Sequence, residues 1–341
     1  MDSYTYPLVD KERKGMKHFL VTGGAGFIGS NLCESLLKAG NKVTILDNFN
    51  DYYDPQIKRN NISEVKLLMR NSNIPEERLE VIEGDIRDKQ VVKDIFTKGL
   101  DIVIHLAAMA GVRYSIDKPE LYYDVNIMGT LNLLEACKTY GVKKFIFASS
   151  SSVYGNNKKV PFSESDFVDN PISPYAATKK AGELLCHTYY SLYDISVACL
   201  RFFTVYGPRQ RPDLAIHKFT NLMLENKEIP FYGDGSTQRD YTYITDILDG
   251  IIKTIQWIDK PEKKFDVFNL GESSTISLKE MVETIEEELG IKAKLKVMPM
   301  QPGDVNRTNA DISKSKQVLG YAPSTEFREG IRKFIEWKLK K

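Results

Sequence analysis

Short apolar runs rich in β-branched and aromatic residues punctuate this chain at 19–22, 43–47, 79–83, 102–106, 144–149 and 197–203, with amphipathic stretches between them. Continuous apolar runs signal strands buried on both faces. Their alternation with helical spacing predicts an α/β fold built on a doubly wound parallel sheet. The interval 48–77 is too long and polar for a plain βα loop; with Tyr52, Tyr53, Lys58 and Arg59 it predicts a helix-bearing excursion that helps shape a ligand mouth. After residue 203 the rhythm loosens into shorter elements and turns such as Gly207-Pro208 and Gly233-Asp234-Gly235, as expected of a smaller lobe closing over a ligand. Late helices are expected over 278–289 and 328–338. The organisation read from this pattern is a solvated arm over 1–15, a larger domain over 16–203, and a lobe over 204–341 with interleaved segments.

Charge and composition act mainly by exclusion. Lys plus Arg number 47 against 46 for Asp plus Glu, which offers no polycationic footprint for nucleic acid or an anionic membrane. No apolar run approaches membrane-spanning length, and the first residues lack the basic segment and apolar core of a secretory signal. Cys33, Cys137, Cys186 and Cys199 stand in apolar settings without paired spacing. They are read as buried thiols in a reducing compartment, so neither a disulfide nor a metal site is expected, and the setting is cytoplasmic.

The first strand runs through Val21-Thr22-Gly23-Gly24-Ala25-Gly26-Phe27-Ile28-Gly29 into Asn31-Leu32-Cys33-Glu34-Ser35-Leu36-Leu37, so the spaced glycines fall where a strand becomes a helix. Gly23 permits the tight turn, Gly26 lets backbone approach a pyrophosphate, and Gly29 lets the helix pack on the strand. Phe27 and Ile28 complete this anion seat at the positive end of the helix. The second strand ends in Asp47, followed by Asn48. A carboxylate there can accept bonds from both adenosine ribose hydroxyls and would repel a 2′-phosphate, which argues for NAD over NADP.

Farther on, Tyr175 and Lys179 stand four apart, which puts both on one helical face with the ammonium able to favour phenolate. The serine run leaving the fifth strand, Ser149-Ser150-Ser151-Ser152, supplies Ser150 to share the hydrogen bond to a reacting oxygen. In that order after a dinucleotide fingerprint, Ser150, Tyr175 and Lys179 form a constellation for hydride transfer to and from a sugar alcohol.

At these residues the sequence resembles the extended short-chain dehydrogenase/reductase family, specifically its nucleotide-sugar epimerases and dehydratases, from residue 17 to about 338. The matching elements are the Gly23/Gly26/Gly29 loop, Gly84-Asp85-Ile86-Arg87-Asp88, His105-Leu106-Ala107-Ala108, Asn126, Ser150, Tyr175 with Lys179, Arg239-Asp240 and Gln301-Pro302-Gly303-Asp304. The resemblance implies a Rossmann-type sheet with a smaller C-terminal UDP-sugar-binding lobe, and a tightly bound, recycled NAD. By it Asp85 and Ile86 would flank adenine, Leu106, Ala107 and Ala108 would line the cofactor diphosphate, and Asn126 would join the cofactor site. Arg239 with Asp304 would hold UDP, and Arg113 and Gln301 would belong to the substrate site; many relatives carry Arg where Gln301 stands. Relatives commonly form homodimers through helices that here follow Lys118 and Pro174, where Leu131, Leu134, Leu184 and Leu185 fit either an interface or the core.

The fate of the 4-keto intermediate defines each enzyme of this group, and the two positions after Ser150 discriminate. In the resembling 4,6-dehydratases they are acidic, because expelling the C6 hydroxyl needs a general acid and removing the C5 proton needs a base. Here they are Ser151 and Ser152, which with Thr204 are similar to the UDP-glucuronate 4-epimerases. A neutral donor cluster suits that substrate, whose 4-keto form is a decarboxylation-prone β-keto acid, and Arg211 is a candidate partner for the carboxylate or diphosphate. The same parts also suit a UDP-N-acetylhexosamine, since Thr308 is small enough to admit an N-acetyl group. The alternatives there are UDP-GlcNAc 4-epimerisation or conversion of an unsaturated or 6-deoxy intermediate of pseudaminic acid-type biosynthesis. A non-catalytic NAD sensor is the reading from another class, and retention of both Tyr175 and Lys179 weighs against it.

Overall fold

The computed structural model describes residues 15–299 and 306–340; most of the arm expected over 1–15, and Gln301 and Asp304, lie outside the described residues. Seven parallel strands form the central sheet, in the spatial order Phe265–Leu270, Ser196–Phe202, Lys144–Ser150, Ile102–His105, His18–Thr22, Lys42–Asp47 and Leu79–Glu83. Six of the seven match the predicted runs to within a residue at each end. Strand order reverses beside His18–Thr22, and at such a switch point the loops leaving neighbouring strands diverge and open a crevice at the carboxyl edge. Register aligns that edge: Thr22 stands opposite both Leu46 and His105, and Ser150 opposite Phe202.

Alternation along the strands sends side chains to two cores. Phe19, Val21, Val43 and Ile45 pack with the helices Phe27–Lys38 and Ile244–Ile258; Leu20, Leu46, Phe145 and Phe147 face Lys89–Phe96, Gly129–Tyr140 and Pro174–Leu192. Local chemistry starts several of these helices. Asp54 caps Pro55–Asn71 with Pro55 at the first turn, Asp88 caps Lys89–Phe96, and Ser277 with Glu280 closes a capping box on Leu278–Leu289. The helix Pro55–Asn71 is the excursion expected within 48–77.

The seventh strand, Phe265–Leu270, and the helix Ile244–Ile258 come from beyond residue 203 yet complete the sheet and its cover. The chain thus returns to the central sheet after residue 203. The smaller lobe is made of two-stranded pieces, Thr204–Tyr206 with Tyr241–Tyr243, Glu228–Tyr232 with Lys294–Met298, and Gln238–Arg239 with Ile276–Ser277, and of the helices around them. All four cysteines are buried. Among the described residues no helix is long and apolar enough to cross a membrane.

Candidate active site

A cavity of about 400 Å³ opens at the carboxyl edge of the sheet, over the switch point. Its floor is the glycine loop. Gly23 takes φ 70°, in the left-handed region, and a Cβ there would stand 2.8 Å from the Ala107 nitrogen. A Cβ on Gly29 would stand 2.3 Å from the Gly23 carbonyl oxygen, so only glycine lets the first helical turn lie against the strand end. Gly26 is the N-cap of Phe27–Lys38, and no side chain caps that terminus. The first-turn N–H groups of Phe27 and Ile28, both lining the cavity, are thereby left for an anionic ligand. Gly29→Ala is expected to purify with roughly a tenth or less of the wild-type dinucleotide content, because backbone must shift to admit the methyl; absorbance and mass analysis of the denatured protein read it directly.

Asp47 lies at the next strand end, buried, and its carboxylate accepts from the Ala25 nitrogen (3.2 Å), the Phe49 nitrogen (3.0 Å) and the Lys58 ammonium (3.3 Å). Sequence spacing does not reveal Lys58 as this partner, because its helix is brought back over the strand end only by tertiary folding. Its charge tempers the repulsion of a 2′-phosphate, while the carboxylate oxygens keep lone pairs for ribose hydroxyls. Asp85 and Ile86 line the same end with Asn48. Burial pushes the Asp85 carboxyl upward, but hydrogen bonds from Arg87 and Asn48 outweigh it and hold it at about 2. A fully ionised acceptor therefore lines this end of the cavity.

Leu106, Ala107 and Ala108 line the cavity opposite the glycine loop. They are held from behind by His105, whose ring nitrogens meet Thr22 Oγ1 at 2.7 Å and Thr130 Oγ1 at 2.9 Å. Burial pushes this imidazole down to about 3, so it is neutral and acts as a pin. Asn126 is a second pin, set behind the wall rather than in the lining. It accepts from the Met109 nitrogen (2.8 Å) and donates to the Met109 carbonyl (3.0 Å) and to Thr178 Oγ1 (3.0 Å), tying the cofactor loop to the catalytic helix.

That helix, Pro174–Leu192, starts at Ser173, whose hydroxyl accepts from the Ala176 nitrogen, with Pro174 in the first turn. Tyr175 and Lys179 follow one turn apart, and both line the cavity. The phenol is hydrogen-bonded to Ser150 and lies edge-on to Tyr122. Burial pushes its ionisation up, opposed by the Ser150 bond and the charge of Arg211. Lys179 sits 5.9 Å from the centre of the Tyr175 ring and donates to the Ala148 carbonyl at 2.7 Å. Burial lowers its pKa to about 8, so at neutral pH the ammonium is present but poised.

Ser151, Ser152, Thr204 and Arg211 line the cavity beside Tyr175, and Ser152 stands 3.1 Å from the Ser150 hydroxyl. Arg211 is paired with Asp213 and lies 5.2 Å over the Tyr52 ring, a residue that the 48–77 excursion brings to the mouth. Arg113 and Arg239 are not brought into this lining. The Arg113 guanidinium packs 5.2 Å over Tyr232, and Arg239 donates to the Gln238 carbonyl at 2.9 Å.

The cavity can hold an extended dinucleotide from Asp85 to Tyr175 and a sugar against the hydroxyl cluster. A profile of the GDP-mannose 4,6 dehydratase family matches residues 20–334. The UDP-glucuronate 4-epimerase of Thermodesulfobacterium geofontis is 43% identical over 94% of this chain and 96% of its own. A crystal structure of the UDP-glucuronic acid 4-epimerase of Bacillus cereus, in complex with UDP-glucuronic acid and NAD, superposes with a TM-score of 0.86 at 37% identity, covering 95% of this chain and 99% of that one. The UDP-N-acetylglucosamine 4-epimerase of Methanobrevibacter ruminantium, in complex with UDP-N-acetylmuramic acid, superposes at 0.81 with 32% identity, covering 96% and 99%. Matches of this length and identity mean that the chain belongs to the GDP-mannose 4,6-dehydratase family of extended short-chain dehydrogenases/reductases.

Proposed function

We propose that this chain is an NAD-dependent UDP-sugar 4-epimerase whose substrate is UDP-glucuronate. The observation that carries this reading is the neutral set Ser150, Ser151, Ser152 and Thr204, gathered with one cation, Arg211, beside Tyr175. The glycine cradle, which any Cβ would fill, the uncapped helix terminus and the Asp47 carboxylate fit the diphosphate and ribose of NAD. Bound there, NAD supplies a reversible hydride acceptor.

The protein's own groups handle the proton and the carboxylate. Tyr175 accepts the proton of the sugar C4 hydroxyl while Ser150 donates to the same oxygen, and the Lys179 ammonium lowers the cost of the phenolate. After the 4-keto sugar has turned over, Tyr175 returns the proton. Throughout, the intermediate is a β-keto acid, which loses carbon dioxide when its carboxylate bond aligns with the carbonyl π system. Ser151, Ser152, Thr204 and Arg211 supply donors that can hold the carboxylate out of that alignment. Neither position after Ser150 offers the acid or base that expulsion of the C6 hydroxyl requires, which supports epimerisation over dehydration in spite of the family's name.

A second reading, 4-epimerisation of UDP-GlcNAc, is supported by the small, buried Thr308 and by the likeness to the Methanobrevibacter enzyme. The test is incubation of purified protein with UDP-glucuronate and, separately, UDP-GlcNAc, without added NAD, with the products read by proton NMR and mass spectrometry. We expect an isomer of unchanged mass from UDP-glucuronate. Reaction of UDP-GlcNAc alone would replace our reading with the second, and loss of carbon dioxide would refute the role given to the hydroxyl cluster.

A homodimer is the assembly this reading carries. Leu134 is fully buried and belongs to the core, whereas Leu184, Met128 and Leu192 are exposed along the two helical segments concerned. The buried, unpaired thiols support a cytoplasmic setting.

A further inference from the structure

One buried polar line leaves the catalytic helix and ends in the substrate lobe. Glu183, one turn beyond Lys179, accepts from Ser149 Oγ at 2.6 Å and takes a two-pronged contact from Arg201, with Nε and Nη2 each at 2.8 Å. The third nitrogen of Arg201, Nη1, donates to the Tyr154 hydroxyl at 3.0 Å, and that hydroxyl donates to Asn269 Oδ1 at 2.7 Å. The Asn269 amide then donates to the carbonyls of Phe162 (2.9 Å) and Asp311 (3.1 Å). Glu183, Arg201, Tyr154 and Asn269 are all buried.

The far end of this line is clamped from its other side. The Asp240 carboxylate accepts from the Ala310 nitrogen at 2.9 Å and from the nitrogens of Glu272 (2.7 Å) and Ser273 (3.0 Å), and the Asp240 nitrogen donates to Thr308 Oγ1 at 3.3 Å. Residues 308–311 are therefore held between two buried side chains, Asn269 and Asp240, the latter directly following Arg239. A guanidinium and a carboxylate removed from water are costly unless every donor is met, and here the Tyr154 hydroxyl bridges Arg201 and Asn269 by side chains, beside the backbone register that sets these two residues opposite each other on neighbouring strands.

We propose that Tyr154, Arg201 and Asn269 are positioning residues: they keep the 308–311 segment of the substrate lobe in register with the Tyr175–Lys179 helix, so that the sugar C4 meets Tyr175 in both orientations of the 4-keto intermediate. This use of the relay rests on the epimerase reading above. Epimerisation demands it in a way that a one-face reaction does not, because the sugar must turn over and find the same proton donor again while its nucleotide stays held.

The test is Tyr154→Phe, which removes one hydroxyl and keeps the ring stacked on Phe162. Two readouts are taken. Without substrate, deuterium uptake is expected to quicken in two separate segments, 308–311 and 175–183, with the rest of the sheet unchanged. With UDP-glucuronate, kcat is expected to fall about tenfold, as for a small misplacement of reacting atoms, while the affinity for UDP stays within about twofold. Unchanged exchange in either segment overturns the relay. A loss of UDP affinity equal to the loss of kcat, together with a lowered Tm, reduces Tyr154 to a packing residue. Should the wild type turn over neither UDP-sugar, the epimerase reading falls, and the exchange measurement alone decides the relay.

Discussion

Tyr175→Phe is expected to lower kcat by about 10³-fold or more, in the upper part of the range for loss of a positioned acid–base group. The ring is half-buried and edge-on to Tyr122, so phenylalanine fills the same space and removes only the hydroxyl. Content of bound dinucleotide and affinity for UDP should stay within about twofold of wild type, because the loss is confined to the transition state. Kinetics with UDP-glucuronate and calorimetry with UDP separate the two. Retention of more than about a tenth of kcat would remove Tyr175 from the proton-transfer role.

Lys179→Met is expected to cost about 10²-fold in kcat/KM at pH 7 and, more tellingly, to change the pH profile. Burial favours the neutral amine and brings the group's pKa to about 8. Below that pH the cation is present and stabilises the Tyr175 phenolate; as pH rises through it the cation is lost and phenolate becomes costlier. The wild-type kcat/KM should therefore bend downward near pH 8, a limb reporting the free enzyme. The variant, with no charge to lose, should lack that bend, and its acid limb should move to higher pH. A variant profile that keeps the bend would assign it to another group.

Legibility in the sequence tracked locality. The glycine loop, Asp47 and the Tyr175–Lys179 pair were readable because each is a short-range device, a turn, a strand end or one helical turn, whose spacing is its geometry. Phe265–Leu270 escaped notice because its Asp266 and Asn269 break the apolar run; they are tolerated only because Lys314 pairs with the first and the second is a fully satisfied hub. Lys58 and Tyr52 read as members of a polar excursion, but their partners, Asp47 and Arg211, are tertiary neighbours that no spacing reveals. Asn126 belongs to the cofactor site by resemblance, and the structure sets it behind the cavity wall, bonded to Met109 and Thr178. Arg113 rests on resemblance, and Arg239 on resemblance together with the match of a guanidinium to diphosphate oxygens; the structure sets the first over the Tyr232 ring and has the second donate to the Gln238 carbonyl.

The turn Ser151–Tyr154 divides its labour along four consecutive residues. Val153 and Tyr154 are buried and anchor it, whereas Ser151 and Ser152 face the cavity and carry no part of the hydrophobic core. Reactivity and scaffold are thereby separable in inheritance. Side chains can exchange at these two positions without removing a member of the hydrophobic core, so the chemistry beside Tyr175 can change while the sheet and the glycine loop stay as they are.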